Sequence, residues 1–124
     1  MWIGVDLMRM GELDALLGRA WFRAYAYVPE ELAVAESFGA ERATEFLTGR
    51  FAGKEAVLKV IGTGMAAGVT PRQVAILRTD GGAPLVRLSG RAARCAAERG
   101  IAAISVSISH KTDLVFAAAI GVPG

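Results

Sequence analysis

The sequence from residue 40 to residue 64 reads AERATEFLTGRFAGKEAVLKVIGTG. Good helix formers dominate it until Gly62-Thr63-Gly64 supplies a stop, which predicts one long helix from about Ala40 to Ile61. Gly49 and Gly53 each cost about 1 kcal/mol inside a helix relative to alanine. Their presence predicts a neighbouring element that comes too close for a side chain.

The first strand candidate carries an acidic residue on one face and apolar residues on the other. Residues 2–8 alternate, so that Ile3, Val5 and Leu7 share one face of a strand. Asp6 is therefore expected to project from the face opposite the obvious apolar one.

The remaining segments predict short elements that complete an antiparallel arrangement. In the first half they are helices at 11–19 and from Tyr27-Val28-Pro29. In the second half they are strands at 72–78 and 85–88 around a turn at 79–84, followed by a helix from Ser89 to Gly100. The chain then continues with an alternating strand at 104–109, a turn at 110–113, an apolar strand at 114–120 and a frayed tail at 121–124. Together they predict a single α+β domain over residues 1–124, with an antiparallel sheet packed on the long helix.

Composition bounds the class of protein. A chain of 124 residues that is 53% hydrophobic and 21% charged is a single globular domain. The net charge of +2 gives no nucleic-acid footprint, and no apolar run approaches the ~18–20 residues that span a membrane. The N-terminus lacks the basic region of a signal peptide. Cys95 is the only cysteine and excludes an internal disulfide, so we expect a cytoplasmic protein.

Four residues could carry chemistry, and each also has an ordinary structural interpretation. Asp6 could be a surface or capping acid. Glu55 precedes Lys59 by four residues, which is the favoured order of a helix ion pair worth about 0.2–0.5 kcal/mol. His110 is the only histidine and could simply lie in a turn. On residue type alone, both interpretations stay open.

The types of side chain available narrow the chemistry. One histidine and one cysteine cannot build a zinc site, and no Gly-x-Ser-x-Gly elbow indicates a serine hydrolase. Two carboxylates favour a hard ion, Mg²⁺, if a metal binds. Arg50 and Lys54 form a basic stripe beside Glu55 that would suit a substrate bearing phosphate.

The order and spacing of these residues resemble the 4′-phosphopantetheinyl transferases. The matching segments are Ile3-Gly4-Val5-Asp6, Arg50-Phe51-Ala52-Gly53-Lys54-Glu55-Ala56-Val57-Leu58-Lys59 with Gly62-Thr63-Gly64, Gly82-Ala83-Pro84 and Ser107-Ile108-Ser109-His110. The length resembles the short class of that family, the holo-acyl-carrier-protein synthases. The agreement covers nearly the whole chain.

The resemblance implies a reaction and roles for residues. The family moves the phosphopantetheine arm of coenzyme A to a serine of an apo acyl carrier protein and releases adenosine 3′,5′-bisphosphate. Asp6 and Glu55 would hold Mg²⁺ against the diphosphate, and Lys59 would face the attacked phosphate. Arg50 and His110 would contact the nucleotide end. The backbone walls around adenine and diphosphate would be Gly62, Thr63 and Gly64, and Gly82, Ala83 and Pro84. The short class also implies a homotrimer with active sites at subunit interfaces.

The sequence departs from the family pattern at two positions. Glu12 stands about where the resemblance implies an arginine that meets the acidic carrier helix, and Arg9 could substitute for that arginine. Ala83 stands where lysine or arginine is common. These departures suggest a carrier from a polyketide or other specialised pathway rather than the fatty-acid carrier.

Two alternatives remain on the sequence. One is a non-catalytic trimeric module that binds coenzyme A or a carrier protein without transferring the arm. The other is a small oligomeric α+β protein whose acidic residues merely pair with arginine. A degenerate binder should have lost Asp6, Glu55 or Lys59, and all three are present.

Overall fold

Helices and strands follow one another along the described residues, 1–65 and 67–124, of the computed structural model. They are β1 (Trp2–Arg9), α1 (Asp14–Leu17), α2 (Ala20–Ala26), α3 (Pro29–Glu36), α4 (Ala40–Ile61), β2 (Val74–Arg78), β3 (Pro84–Leu88), α5 (Gly90–Arg99), β4 (Ile101–Lys111) and β5 (Leu114–Pro123), with a 3₁₀ turn at Pro71–Gln73. The chain is thus an α+β domain, as predicted.

Helix α4 lies across an antiparallel sheet with strand order β1-β5-β4. The middle of the helix is buried there because Ala52, Ala56 and Val60 meet the small residues Ala117 and Ala119 of the sheet core. A hairpin of β2 and β3 contacts the helix through β2 and contacts β4 of the sheet through β3. In the described part of the chain no helix could cross a bilayer; α4 has the length but carries charges throughout.

The helix glycines mark close contacts, which confirms the expectation from the sequence. A Cβ on Gly53 would lie 2.7 Å from Ile76 Cδ1 and 3.0 Å from Ile108 Cδ1. A Cβ on Gly49 would lie 3.3 Å from Ile108 Cγ2. The cost of helical glycine is therefore offset by the packing of β2 and β4 directly on α4.

The two faces of β1 have opposite environments, and the apolar one is uncovered in the protomer. Gly4 and Met8 are buried beneath α4, and Asp6 projects on that side, as predicted. Ile3 is 67% exposed and Leu7 62% exposed on the other side. The same side of the sheet continues across β5, and we call it the outer face, with exposed members Ile3, Val5, Leu7, Leu114, Phe116 and Ile120.

Three sequence predictions of local structure are corrected. The helix predicted at 11–19 is confined to α1, and α2 follows it unpredicted. The turn predicted at 110–113 is narrower, because β4 continues to Lys111. The tail predicted at 121–124 is wrong: β5 extends to Pro123, and Gly121 pairs with Trp2. That glycine reflects close packing, since a Cβ there would lie 2.6 Å from Val60 Cγ1.

A fully buried ion pair joins α3 to α4. Lys54 Nζ lies 2.8 Å from Glu31 Oε1, and both side chains are inaccessible to solvent. The remaining hydrogen bonds of the pair run from Lys54 Nζ to the Val74 and Pro71 carbonyls, at 2.7 and 3.1 Å, and from the Val28 and Ile76 amides to the Glu31 carboxylate, both at 2.9 Å. The expectation that Lys54 belongs to a phosphate-binding stripe is therefore wrong, because Lys54 is inaccessible to solvent and its charge is paired with Glu31.

Candidate active site

Strand β1 and helix α4 bring Asp6, Glu55 and Lys59 into one cluster. Lys59 Nζ donates hydrogen bonds to Asp6 Oδ1 at 3.2 Å and to the Val5 carbonyl oxygen at 2.7 Å. Glu55 lies one helical turn before Lys59, on the same stripe of α4. The lysine side chain is about half exposed, so the cluster opens to solvent on its lysine side.

Gly4 explains why an aspartate two residues further along reaches the helix. A Cβ on Gly4 would overlap the Ala56 carbonyl oxygen and would lie 3.1 Å from Lys59 Cβ. The strand backbone therefore rests directly on α4. Because alternate residues of a strand project to the same side, Asp6 projects toward the helix, as Gly4 does.

The charges of this cluster favour a bound cation. Partial burial raises the pKa of Glu55, the negative charge of Asp6 raises it further, and Lys59 opposes both effects. Two carboxylates that repel each other gain stability from a divalent cation between them. No group of three or more metal-ligating side chains is present among the described residues. A carboxylate pair suits Mg²⁺, which completes its shell with water and substrate phosphates.

The loop predicted to face the substrate follows directly from this stripe. Gly62 ends α4 with φ +92°, and its amide donates to the Leu58 carbonyl at 2.8 Å. A side chain there would overlap the guanidinium of Arg99, which also donates to the Ile61 carbonyl. Gly62 and Gly64 are exposed, so this loop presents backbone rather than side chains close to Lys59.

Arg50 stands at a second place on α4, about 7.5 Å along the helix axis from Glu55. Its Nε donates to the Ile76 carbonyl at 3.1 Å, and its guanidinium lies 4.5 Å from the centre of the Phe46 ring. The guanidinium of Arg78 lies 5.6 Å from the centre of the same ring. Burial lowers the pKa of Arg50, and the positive charge of Arg78 lowers it further.

This arginine pair borders a cavity of about 300 Å³, which is lined by Glu30, Glu31, Val34, Phe46, Arg50, Ile76, Leu77 and Arg78. An anion would relieve the repulsion between the two guanidinium groups and accept hydrogen bonds from them. Phe46 and Arg78 did not emerge from the sequence analysis. The only feature of the sequence that could have indicated Arg78 is its position at the end of a strand candidate, before a glycine-rich turn. No sequence feature indicated Phe46.

The remaining predicted site residues belong to other elements than Asp6, Glu55 and Lys59 do. His110 is exposed near the end of β4, with Nε2 3.0 Å from the Thr112 carbonyl oxygen, on the strand face that Ile108 presents to α4. Gly82 and Pro84 lie at the tip of the β2–β3 hairpin, where Gly82 has φ +87°. No hydrogen bond joins them to the cluster in the part of the chain that is described.

Comparison with known proteins identifies the family of this chain. Residues 3–119 match the family described as the 4′-phosphopantetheinyl transferase superfamily. That match includes β1 from Ile3 onward, the whole of α4 and both strands of the hairpin. The chain belongs to the 4′-phosphopantetheinyl transferase superfamily.

Similar proteins narrow the class within that superfamily. The chain is 40% identical over 123 residues to a holo-acyl-carrier-protein synthase of Desulforudis audaxviator, covering 97% of this chain and 91% of that protein. It is 37% identical over 110 residues to one of Desulfovibrio desulfuricans, covering 87% and 86%. This chain is an enzyme, a phosphopantetheinyl transferase of the holo-acyl-carrier-protein synthase group.

Solved structures agree with this grouping. A holo-acyl-carrier-protein synthase of Neisseria meningitidis superposes with a TM-score of 0.84 at 30% identity, covering 98% of this chain and 97% of that one. One of Bacillus anthracis, solved in complex with CoA (3′,5′-ADP), superposes with a TM-score of 0.79 at 28% identity, covering 97% and 94%. The α+β fold is therefore that of these enzymes.

Proposed function

We propose that this enzyme transfers the 4′-phosphopantetheine arm of coenzyme A to a serine of an apo acyl carrier protein, with Mg²⁺, and releases adenosine 3′,5′-bisphosphate. The observation that supports this most strongly is the meeting of Asp6, Glu55 and Lys59 at the contact between β1 and α4. Such a site neutralises charge and offers no nucleophile of its own, which suits attack on a diphosphate by a partner's hydroxyl.

The bond changes define what the cluster must do. The carrier serine oxygen forms a bond to the phosphorus that bears the pantetheine arm. The bond from that phosphorus to the bridging oxygen breaks, and the electron pair leaves with the adenosine bisphosphate. The serine proton passes to a carboxylate or to water at the site. Negative charge therefore builds on the leaving oxygen and on the phosphate that is attacked.

Asp6 and Glu55 would hold Mg²⁺, which supplies charge neutralisation at the diphosphate when it is bound. Carboxylate oxygens are the ligands that Mg²⁺ prefers. The positive charge of the ion would relieve the repulsion between the two carboxylates. Lys59 adds a mobile cation. Its ammonium has three N–H groups, of which two are bonded to Asp6 and Val5, so the third can reach a phosphate oxygen.

The nucleotide end of coenzyme A would bind at Arg50. The cavity beside Arg50 and Arg78 suits a phosphate group, and the exposed backbone at Gly62, Thr63 and Gly64 suits a wall for the diphosphate. We further propose that His110, Gly82 and Pro84 complete this subsite. Because they make no hydrogen bond to the Asp6 cluster among the described residues of one protomer, we expect them to do so across a subunit interface.

The exposed outer face supports a homotrimer as the working form. Its apolar side chains lie side by side on paired strands, where Ile3 is opposite Ile120 and Leu7 is opposite Phe116. A contiguous apolar patch of this kind on a small protein marks an interaction surface. Further copies of the chain would cover it and bring their own nucleotide-binding residues to the Asp6 cluster.

The carrier surface differs from that of the family at Glu12. This carboxylate accepts a hydrogen bond from the Arg9 backbone amide, so a negative group lies just beyond β1. An acidic carrier helix would meet repulsion there. We therefore expect faster transfer to a polyketide-type carrier than to a fatty-acid carrier, measured as kcat/KM on both. A clear preference for the fatty-acid carrier would contradict this.

Mass spectrometry tests the proposed function directly. An apo carrier protein is incubated with coenzyme A, Mg²⁺ and the enzyme, and we expect a gain of one phosphopantetheine. The matched reactions omit Mg²⁺ or replace the carrier serine by alanine, and neither should show the gain. A protein that binds coenzyme A and carrier yet leaves the carrier mass unchanged would be the non-catalytic module instead.

A further inference from the structure

The Glu31–Lys54 pair has no role in the reaction outlined above, although it lies beside the site. Lys54 directly precedes Glu55 on α4, and its ammonium donates to Glu31, Val74 and Pro71. All three of its N–H groups are thus used, and it is inaccessible to solvent, so it cannot bind substrate. A buried pair of this kind is often no more stabilising than an apolar replacement, which calls for another reason for its presence.

A chain of hydrogen bonds connects this pair to Arg50. The Ile76 amide donates to Glu31 Oε2 at 2.9 Å, and the Ile76 carbonyl accepts from Arg50 Nε at 3.1 Å. The peptide groups of one β2 residue therefore link Glu31 to the guanidinium. Lys54 holds the preceding part of the strand through the Val74 carbonyl at 2.7 Å.

We infer that Glu31 and Lys54 form a positioning pair, which fixes Arg50 and the start of the β2–β3 hairpin relative to Glu55. The inference rests on the proposed function, in which Arg50 and the hairpin receive the nucleotide end while Glu55 serves the diphosphate. Because coenzyme A spans both places, the spacing between them determines whether both ends bind at once. Rigid hydrogen-bonded support sets that spacing to within fractions of an ångström.

The chain contains a matched control for this pair. Glu30 and Arg87 form an ion pair of 2.9 Å that also joins α3 to the hairpin, at β3. Both side chains are about half exposed, and their bond does not involve Ile76. Replacement of Arg87 breaks this second link between α3 and the hairpin and leaves the hydrogen-bond chain to Arg50 intact.

The experiment compares two donors that differ only at the nucleotide end, coenzyme A and dephospho-coenzyme A, which lacks the 3′-phosphate. Their dissociation constants are measured by calorimetry, without carrier, on the full chain. We expect Glu31→Gln/Lys54→Met to reduce the preference for coenzyme A at least fivefold. The control Arg87→Met, which leaves the residues lining the cavity unchanged, should keep the wild-type preference. Lys54→Arg, which retains the charge and its bond to Glu31, should restore most of it.

The outcomes separate a positioning role from a structural one. A folded double variant with an unchanged preference, or with both donors weakened equally, overturns the inference, since a merely structural pair would act on both alike. If the double variant does not fold, Glu31→Gln alone is measured against the same criterion. Wild-type protein that binds both donors equally, or that fails to modify any carrier, contradicts the proposed function instead.

Discussion

Glu55 faces the Asp6 carboxylate and precedes Lys59 by one helical turn, so its removal tests the cluster most directly. We expect Glu55→Gln to lower transfer at least about 100-fold, because one metal ligand and its charge are lost. The amide has nearly the size of the carboxylate, so the fold should persist. The assay is carrier modification by mass spectrometry at saturating coenzyme A.

Glu41→Gln is the matched control, since Glu41 is exposed in the first turn of the same helix. It should transfer at the wild-type rate. Normal transfer by Glu55→Gln would remove Glu55 from the proposed metal site.

The raised pKa of Glu55 gives a pH dependence of stability with a definite sign. The folded protein binds a proton at Glu55 more tightly than the unfolded chain does, because burial and the Asp6 charge disfavour the ionised form. The free energy of unfolding of the metal-free protein should therefore rise, relative to Glu55→Gln, as pH falls from neutrality through the raised pKa. Urea unfolding of both proteins at about pH 7 and about pH 5 measures this difference.

The opposite slope would show that Glu55 is held in its ionised form by a partner. Added Mg²⁺ should raise the free energy of unfolding of the wild-type protein at neutral pH. This stabilisation should decrease as the pH is lowered to about 5, because the carboxylates must be deprotonated to bind the metal.

Lys59 is expected to act on the reaction step more than on binding. Its ammonium already bonds to Asp6 and Val5 and has one N–H for a phosphate oxygen whose charge grows during the reaction. Lys59→Ala should therefore lower kcat by about 100-fold while the Kd for coenzyme A changes little. Single-turnover rates and calorimetry separate the two quantities. A loss confined to Kd would make Lys59 an anchoring residue.

At the scale of elements, the contact between β1 and α4 depends on Gly4. A Cβ at this position would overlap the Ala56 carbonyl oxygen, which is helix backbone and cannot swing aside. Gly4→Ala should lower the free energy of unfolding by about 1–3 kcal/mol and should also lower transfer, since Asp6 moves with the strand.

Gly18→Ala provides the comparison, because its Cβ would make an ordinary contact of 3.6 Å with the Ala15 carbonyl oxygen. Urea unfolding and the transfer assay should both show wild-type behaviour for this variant. Equal stability of the Gly4→Ala protein would mean that the strand does not rest on the helix as described.

The elements that the sequence predicted well have strong local signals. Helix α4 begins and ends as predicted, since a run of helix formers ends at a glycine in the left-handed conformation. Helix α5 likewise ends at Gly100 with φ +84°. By contrast, α2 was missed, because its sequence AWFRAYA has no polar cap and its burial depends on Phe22 packing against Phe51. That contact is tertiary and leaves no local pattern.

The sequence singled out three residues that meet between β1 and α4, whose catalytic roles stay predictions, but it did not indicate the buried side chains behind them. The residues Asp6, Glu55 and Lys59 were singled out by their spacing and by a family resemblance. Hydrophobic periodicity alone would not have selected them. Lys54 has the same charge as Lys59 and stands five residues before it, yet one is inaccessible and the other half exposed. Which of two lysines on a helix meets solvent depends on what the rest of the chain places over it.

At the scale of the whole molecule, the proposed trimer would cover the outer face. Charge placed there should dissociate the oligomer, because a glutamate at the buried centre of an apolar interface has no partner. We expect Leu7→Glu to convert a trimer into monomers in sedimentation analysis and to abolish transfer. Trp21→Lys, which changes an exposed aromatic residue on α2 outside that face, should leave the trimer intact. A monomeric, fully active wild-type enzyme would contradict the shared-site proposal.

The residues Arg50, Glu55 and Lys59 all lie on helix α4, and this limits where insertions and deletions can be tolerated. Inserting or deleting one residue between Arg50 and Lys59 would rotate the following part of the helix by about 100° about its axis. The residues after the change would then point in a different direction relative to the proposed nucleotide contact at Arg50. Lineages descended from such an enzyme should therefore vary in length at the hairpin tip or before α3, and never between residues 50 and 59.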